Sequence, residues 1–110
     1  MNPITQRLKA ERVQVRLLPV PPERLRNPQG ELSNWQVDST PNAITRHFPQ
    51  SSFSASAAFL IKVGTQAAKH GRQPFAFIDA TGVTVRLGNP PQSGVTEADI
   101  ELADALSKIA

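Results

Sequence analysis

His47 and His70 are the two residues of this chain whose type is suited to moving a proton near neutral pH. They do not stand at the spacing of a metal-ligand pair. The chain has no cysteine, which excludes disulfides and thiolate metal sites. His47 falls on the polar side of an alternating stretch and His70 at the end of a helical one. A hydrogen-bonding or solvated role is expected of each. Asp79 is a lone carboxylate beside a turn, a structural setting rather than a catalytic one. There is no glycine-rich phosphate loop, no nucleophile elbow and no zinc motif. Five phenylalanines and one tryptophan are too few, and too core-like in spacing, for a base-stacking platform. No cofactor and no metal is therefore expected.

The elements that would position these groups follow from periodicity. Trp35-Gln36-Val37-Asp38 reads as a short strand, and Pro41-Asn42 as a turn. The next stretch, Ala43 to Phe48, alternates, with Ile44 and Phe48 on one face and Thr45 and His47 on the other. Ser51 or Ser52 can cap a helix running to about His70. Its apolar positions Phe53, Ala57, Leu60, Gly64 and Ala67 recur at spacings of three and four, with Phe59 and Val63 beside them, and this stripe is expected to lie on a sheet. Gly71 can close the helix in the left-handed conformation. Phe75 to Asp79 and Val83 to Leu87 read as strands joined through Thr81-Gly82, a hairpin. Residues 88–94 form a loop by composition. Thr96 caps a last helix, the acids Glu97 and Asp99 suit its positive end, and Ile100, Ala103, Leu106 and Ile109 mark its apolar side. The order strand, strand, helix, strand, strand, helix predicts an α+β fold, a four-stranded antiparallel sheet with helices packed on one face.

Charge separates the first residues from the rest. The net charge is +3, yet residues 1–30 carry +4 and the remaining 80 carry −1. Five of the ten prolines also fall in this opening stretch, so residues 19–28 are expected to be irregular, with a short helix allowed between Thr5 and Leu17. This divides the chain into a basic, proline-rich arm, 1–31, and a compact domain, 32–110. The arm would suit an acidic protein surface or serve solubility. Its cations are spread between prolines and form no recognition helix, so nucleic acid is not the expected partner. No apolar run reaches the ~20 residues of a membrane span. The N-terminus lacks a signal-peptide core, and a cytoplasmic location is expected.

From Trp35 onward the chain resembles the pterin-4a-carbinolamine dehydratase family. Phe53 and Phe59 match the aromatic positions that open the family's long helix, and Val63, Ala67 and Lys69 match later ones. Pro74 matches a proline that follows a tandem of histidines, and Val83, Val85 and Leu87 the closing strand. The segment Gly94-Val95-Thr96-Glu97-Ala98-Asp99-Ile100-Glu101-Leu102-Ala103 is similar to the family signature. The resemblance implies the same α+β fold and a homo-oligomer, with a dimer expected.

It also implies where chemistry would be. The family dehydrates a carbinolamine with the tandem histidines and a third in the loop after the closing strand. By the resemblance those positions hold Arg72, Gln73 and Pro90, and Gly71 replaces the acid that commonly precedes the tandem. Arginine keeps its proton, glutamine has none to exchange usefully, and proline offers no side-chain function. If each lost acid or base is worth ~10²–10⁴-fold, no useful dehydratase is expected. The chain is thus similar to the histidine-lacking members associated with α-carboxysomes, which assist assembly of ribulose-bisphosphate carboxylase/oxygenase (Rubisco). That resemblance implies the Rubisco large subunit as client and possible association with carboxysomes. A residual dehydratase and a dimerisation or transcriptional cofactor are the alternatives. Arg72, Gln73 and Arg86 in the domain, and Arg12, Arg16, Arg24 and Arg26 in the arm, are the expected partner-binding residues.

Overall fold

The computed structural model describes residues 18–21, 25, 32–37, 43–88 and 94–110. Its elements are β1 (Gln36–Val37), β2 (Ile44–Pro49), α1 (Phe53–Lys69), β3 (Phe75–Asp79), β4 (Gly82–Leu87) and α2 (Glu97–Ile109). The strands form one sheet in the order β1-β2-β4-β3, antiparallel at every pairing. This is the α+β architecture expected from the sequence.

Alternation decides which side of the sheet is covered. Ile44 and Phe48 of β2 and Val83, Val85 and Leu87 of β4 are buried, and both helices pack over that side. There Phe48 meets Trp35 edge-on at 6.0 Å between ring centroids and Phe59 of α1 at 5.1 Å. Full burial of such side chains stabilises by about 1.5–3 kcal/mol each. The intervening residues, Thr45, His47, Phe75, Phe77, Thr84 and Arg86, lie on the opposite face, which no described element covers and which is called the uncovered face below.

α1 begins where Ser52 accepts a hydrogen bond from the Ala55 amide at 3.1 Å, and ends at His70 with Gly71 at φ 64°. The left-handed turn at Gly71 is one that a residue with a Cβ adopts only at a cost. Its buried line is Ser56, Phe59, Val63 and Ala67, rotated from the stripe expected of the sequence. Phe53 is 58% exposed, and Gly64 faces outward too. The cause is that α1 is apolar on more than one side, so spacing alone does not select the side that meets the sheet. Among the described residues no helix is long and apolar enough to cross a membrane.

The core also reaches further back than the expected boundary at residue 32. Val20 and Leu25 belong to it, and the Val20 amide donates to the Val95 carbonyl at 2.7 Å beside a Pro19–Thr96 bridge. Proline tolerates an extended edge position because its missing N–H is not needed there. The short helix expected between Thr5 and Leu17 lies outside the described residues.

Candidate functional site

Arg72 stands in the short link between α1 and β3, held at both ends. Its backbone N–H donates to the Ala67 carbonyl at 3.0 Å, which closes the end of α1. Its Nε donates to Asp99 Oδ1 at 2.9 Å. Asp99 is fully buried and the Arg72 side chain only 11% exposed. The other oxygen of Asp99 completes a capping box at the start of α2. It accepts from the Thr96 backbone N–H at 2.9 Å and from the Thr96 hydroxyl at 3.1 Å, while that hydroxyl accepts from the Asp99 amide at 3.2 Å. One carboxylate therefore joins the end of α1 to the beginning of α2.

This arrangement holds charge in place rather than moving it. Arginine does not release its proton at physiological pH, and both oxygens of Asp99 are engaged. Arg72 was expected to present a cationic surface. Instead it is turned inward, because the buried Asp99 carboxylate needs a charge-assisted partner. Sequence reasoning placed Asp99 only as an acid suited to the helix dipole. The spacing Thr96-x-x-Asp99 was the available signal for the capping box, but nothing local announced the pairing with Arg72.

Of the other expected residues, Gln73 and Arg86 are described, and Arg86 is not gathered around this pair. Gln73 is exposed in the same link. Arg86 lies on β4, opposite Thr45 on one side and Phe75 on the other, on the uncovered face. Its Nη1 approaches the Thr45 hydroxyl at 3.5 Å. Arg12, Arg16, Arg24 and Arg26, as well as Pro90, lie outside the described residues.

The histidines are likewise separated. His47 is on the uncovered face, with Nδ1 at 2.9 Å from the Thr84 hydroxyl and Nε2 at 3.3 Å from the Thr81 carbonyl. Since a carbonyl only accepts, Nε2 carries a hydrogen. His70 caps α1, with Nδ1 4.0 Å from Glu101 Oε2 on α2. Asp79 fixes the β3–β4 turn, accepting from the Thr81 hydroxyl, the Thr81 amide at 2.8 Å and the Gly82 amide at 3.2 Å. These bonds, the Thr81 hydroxyl foremost, hold its pKa below the usual aspartate value. No cluster of side chains among the described residues is suited to a metal ion.

The uncovered face carries what sequence reasoning missed. Phe75 and Phe77 are 47% and 63% exposed, not core residues. They sit at alternate positions of β3, so one strand face shows both. The period-two alternation of Phe75-Ala76-Phe77-Ile78 was the signal, since only one of its two sides can meet the helices.

The sequence profile of the family described as pterin 4 alpha carbinolamine dehydratase matches residues 18–109. The chain belongs to this family. Among its relatives are proteins of Brucella ovis and Brucella canis, each named "Putative pterin-4-alpha-carbinolamine dehydratase". Each is 34% identical over 79 residues, 72% of this chain and 81% of the relative. A solved structure, "transcriptional coactivator/pterin dehydratase" from Brucella melitensis, superposes with a TM-score of 0.63 at 33% identity, covering 71% of this chain and 83% of that one. The fold of this pterin dehydratase family member is thus matched in an experimental structure. The family match beginning at residue 18 agrees with the packing of Val20 into the core.

Proposed function

We propose that the chain is a non-catalytic member of the pterin dehydratase family that works by binding protein, as an assembly factor for Rubisco in α-carboxysome biogenesis. The observation that carries the non-catalytic part is the buried Arg72–Asp99 pair, with Nε and Oδ1 2.9 Å apart. By the resemblance, position 72 is one of the tandem histidine positions. Here it holds a fixed cation that ties two helices together. Loss of the 4a-hydroxyl of a carbinolamine needs a proton delivered to the leaving oxygen and another removed from the ring nitrogen. Neither a locked guanidinium nor the amide of Gln73 does this. His47 and His70 are on different sides of the sheet and do not replace the set.

The client is the Rubisco large subunit, and the factor acts as a homo-oligomer, with a dimer as its simplest form. The identity of the client rests on the resemblance to histidine-lacking family members of carboxysomes. Gln73, Arg86 and the arginines of the arm remain its proposed contacts, and Arg72 contributes by positioning the link that presents Gln73. A second reading, a transcriptional cofactor, is supported by the name of the Brucella melitensis structure, "transcriptional coactivator/pterin dehydratase".

Affinity capture with the full-length tagged chain tests the first reading. Large subunit enriched at moderate salt, and diminished by Arg86→Glu in a folded protein, is the expected result. Recovery of folded bait without large subunit would remove the Rubisco reading, and enrichment of a transcription factor would install the second. Arg72→Glu is unsuitable as the reporter, because it would set an anion against the buried Asp99.

A further inference from the structure

We propose that Thr84, with His47 as its base, is an acyl-acceptor site for small thioesters. This place and this reaction are separate from the dehydratase chemistry, and the site stands whichever client the chain has. Thr84 and His47 face each other across the β2–β4 ladder, with Nδ1 of the ring 2.9 Å from the hydroxyl. Nε2 carries a hydrogen because it donates to the Thr81 carbonyl at 3.3 Å. In the neutral ring Nδ1 therefore accepts, and the hydrogen between the two side chains belongs to Thr84. A hydroxyl bonded to a base, with the base held by a third group, is the arrangement that activates a nucleophile.

The ring is fixed from several sides. The Thr81 carbonyl also accepts from the Gln50 amide at 3.0 Å, and the Thr81 hydroxyl and amide both donate to Asp79 Oδ1. Gly82 makes room, since a Cβ there would come within 2.9 Å of His47 Nε2. His47 is exposed and Thr84 half-buried. Phe77, the cross-strand neighbour of Thr84 on β3, is exposed and offers an apolar contact to an acyl chain. In the step itself, Thr84 Oγ1 attacks the thioester carbonyl carbon as its hydrogen passes to His47 Nδ1. The C–S bond then breaks, and the imidazolium returns the proton to the departing thiolate. The products are an O-acyl threonine and a free thiol, and no other reactant is needed. A thioester is the fitting class because a thiol, with a pKa of about 8.5, leaves far more readily than an alcohol.

The probe is the acetyl thioester of N-acetylcysteamine, incubated with the purified full chain. The chain has no cysteine, so the thiol released is measured without background from the protein. Peptide mass mapping locates the acetyl groups. Hydroxylamine at neutral pH removes hydroxyl esters and leaves lysine amides, which separates the two. Thr65 is the internal control, an exposed threonine of α1 whose hydroxyl donates to the Ile61 carbonyl rather than to a ring. Thr84 should be acetylated about 10²-fold faster than Thr65, and His47→Gln should remove most of that advantage. Thr84→Ser should keep the label at position 84 and Thr84→Val should lose it. Far-UV circular dichroism and an unchanged Thr65 rate verify that the variants are folded.

Thr84 labelled no faster than Thr65 in the unaltered chain would overturn the proposal before any variant is made. Equal labelling of Thr84 in a folded His47→Gln chain would overturn it too, because the imidazole would then be only a cross-strand hydrogen-bond partner. Acetyl groups confined to lysine amides would do the same.

Discussion

The two ends of β3 neighbour regions built on opposite principles. Before it, Arg72 is drawn into a buried ion pair with Asp99, every oxygen of which has a partner. Along it, Phe75 and Phe77 stand in solvent on a face that no described element covers. Charge is thus inside and aromatic surface outside, the reverse of the usual distribution. On the proposed reading, the region where the family's chemistry would be sought serves structure in this chain. The exposed aromatic surface lies one strand further on.

The sharpest way to break this contrast is to remove the buried anion. Asp99→Ala would leave Arg72 largely buried without its counter-charge and delete the cap of α2. A loss of about 3–5 kcal/mol in urea unfolding is expected, whereas Phe77→Ser on the open face should change stability by about 0.5 kcal/mol or less. Equal effects would mean that the two regions are not distinct in the way described.

A similar contrast runs around α1. Phe59 is buried against Phe48, while Phe53, six residues earlier on the same helix, is mostly exposed. Phe59→Ala should cost about 3 kcal/mol or more and Phe53→Ala about 0.5 kcal/mol or less, measured by thermal or urea unfolding. A large effect at Phe53 that depends on protein concentration would show that its side of the helix is covered in an oligomer.

The hairpin that carries the open face has its own weak points. A Cβ on Gly82, which has φ 149°, would lie 2.2 Å from the Phe48 carbonyl oxygen and 2.9 Å from His47 Nε2. Gly82→Ala should therefore cost about 1–3 kcal/mol and displace the β2–β4 pairing, visible as lost amide protection there. The smallest effect concerns Asp79, whose pKa is lowered in the folded chain. A depressed carboxylate adds stability above its unfolded pKa and loses it as pH falls through the folded value. Asp79→Asn should flatten the acid side of the stability profile in that window, with a small loss of stability at neutral pH and none below the folded pKa.

The strands and both helices were legible in the sequence because alternation, a capping serine and threonine, and Gly71 are local signals. The burial of α1 was read off by a rotation, since Phe53, Ala57 and Gly64 make as regular a stripe as Phe59, Val63 and Ala67. The core-like reading of the phenylalanines failed at Phe75 and Phe77 for a related reason: aromatic residues in a strand report burial only when the other side is polar. At the candidate site, the absence of histidine was plain from the residues. The inward turn of Arg72 was not, because its partner Asp99 is distant in sequence and reaches it only through packing of α2 against the end of α1. The same holds for Val20 and Leu25, whose place in the core was hidden behind prolines and positive charge.

The central claim is that a pterin dehydratase scaffold has exchanged acid–base chemistry for a fixed ion pair. Turnover of a 4a-carbinolamine by the purified full chain tests it most directly. The account predicts a rate indistinguishable from the uncatalysed dehydration at all protein concentrations. A rate that rises in proportion to protein, with a bell-shaped pH dependence of the kind a paired acid and base produce, would contradict it.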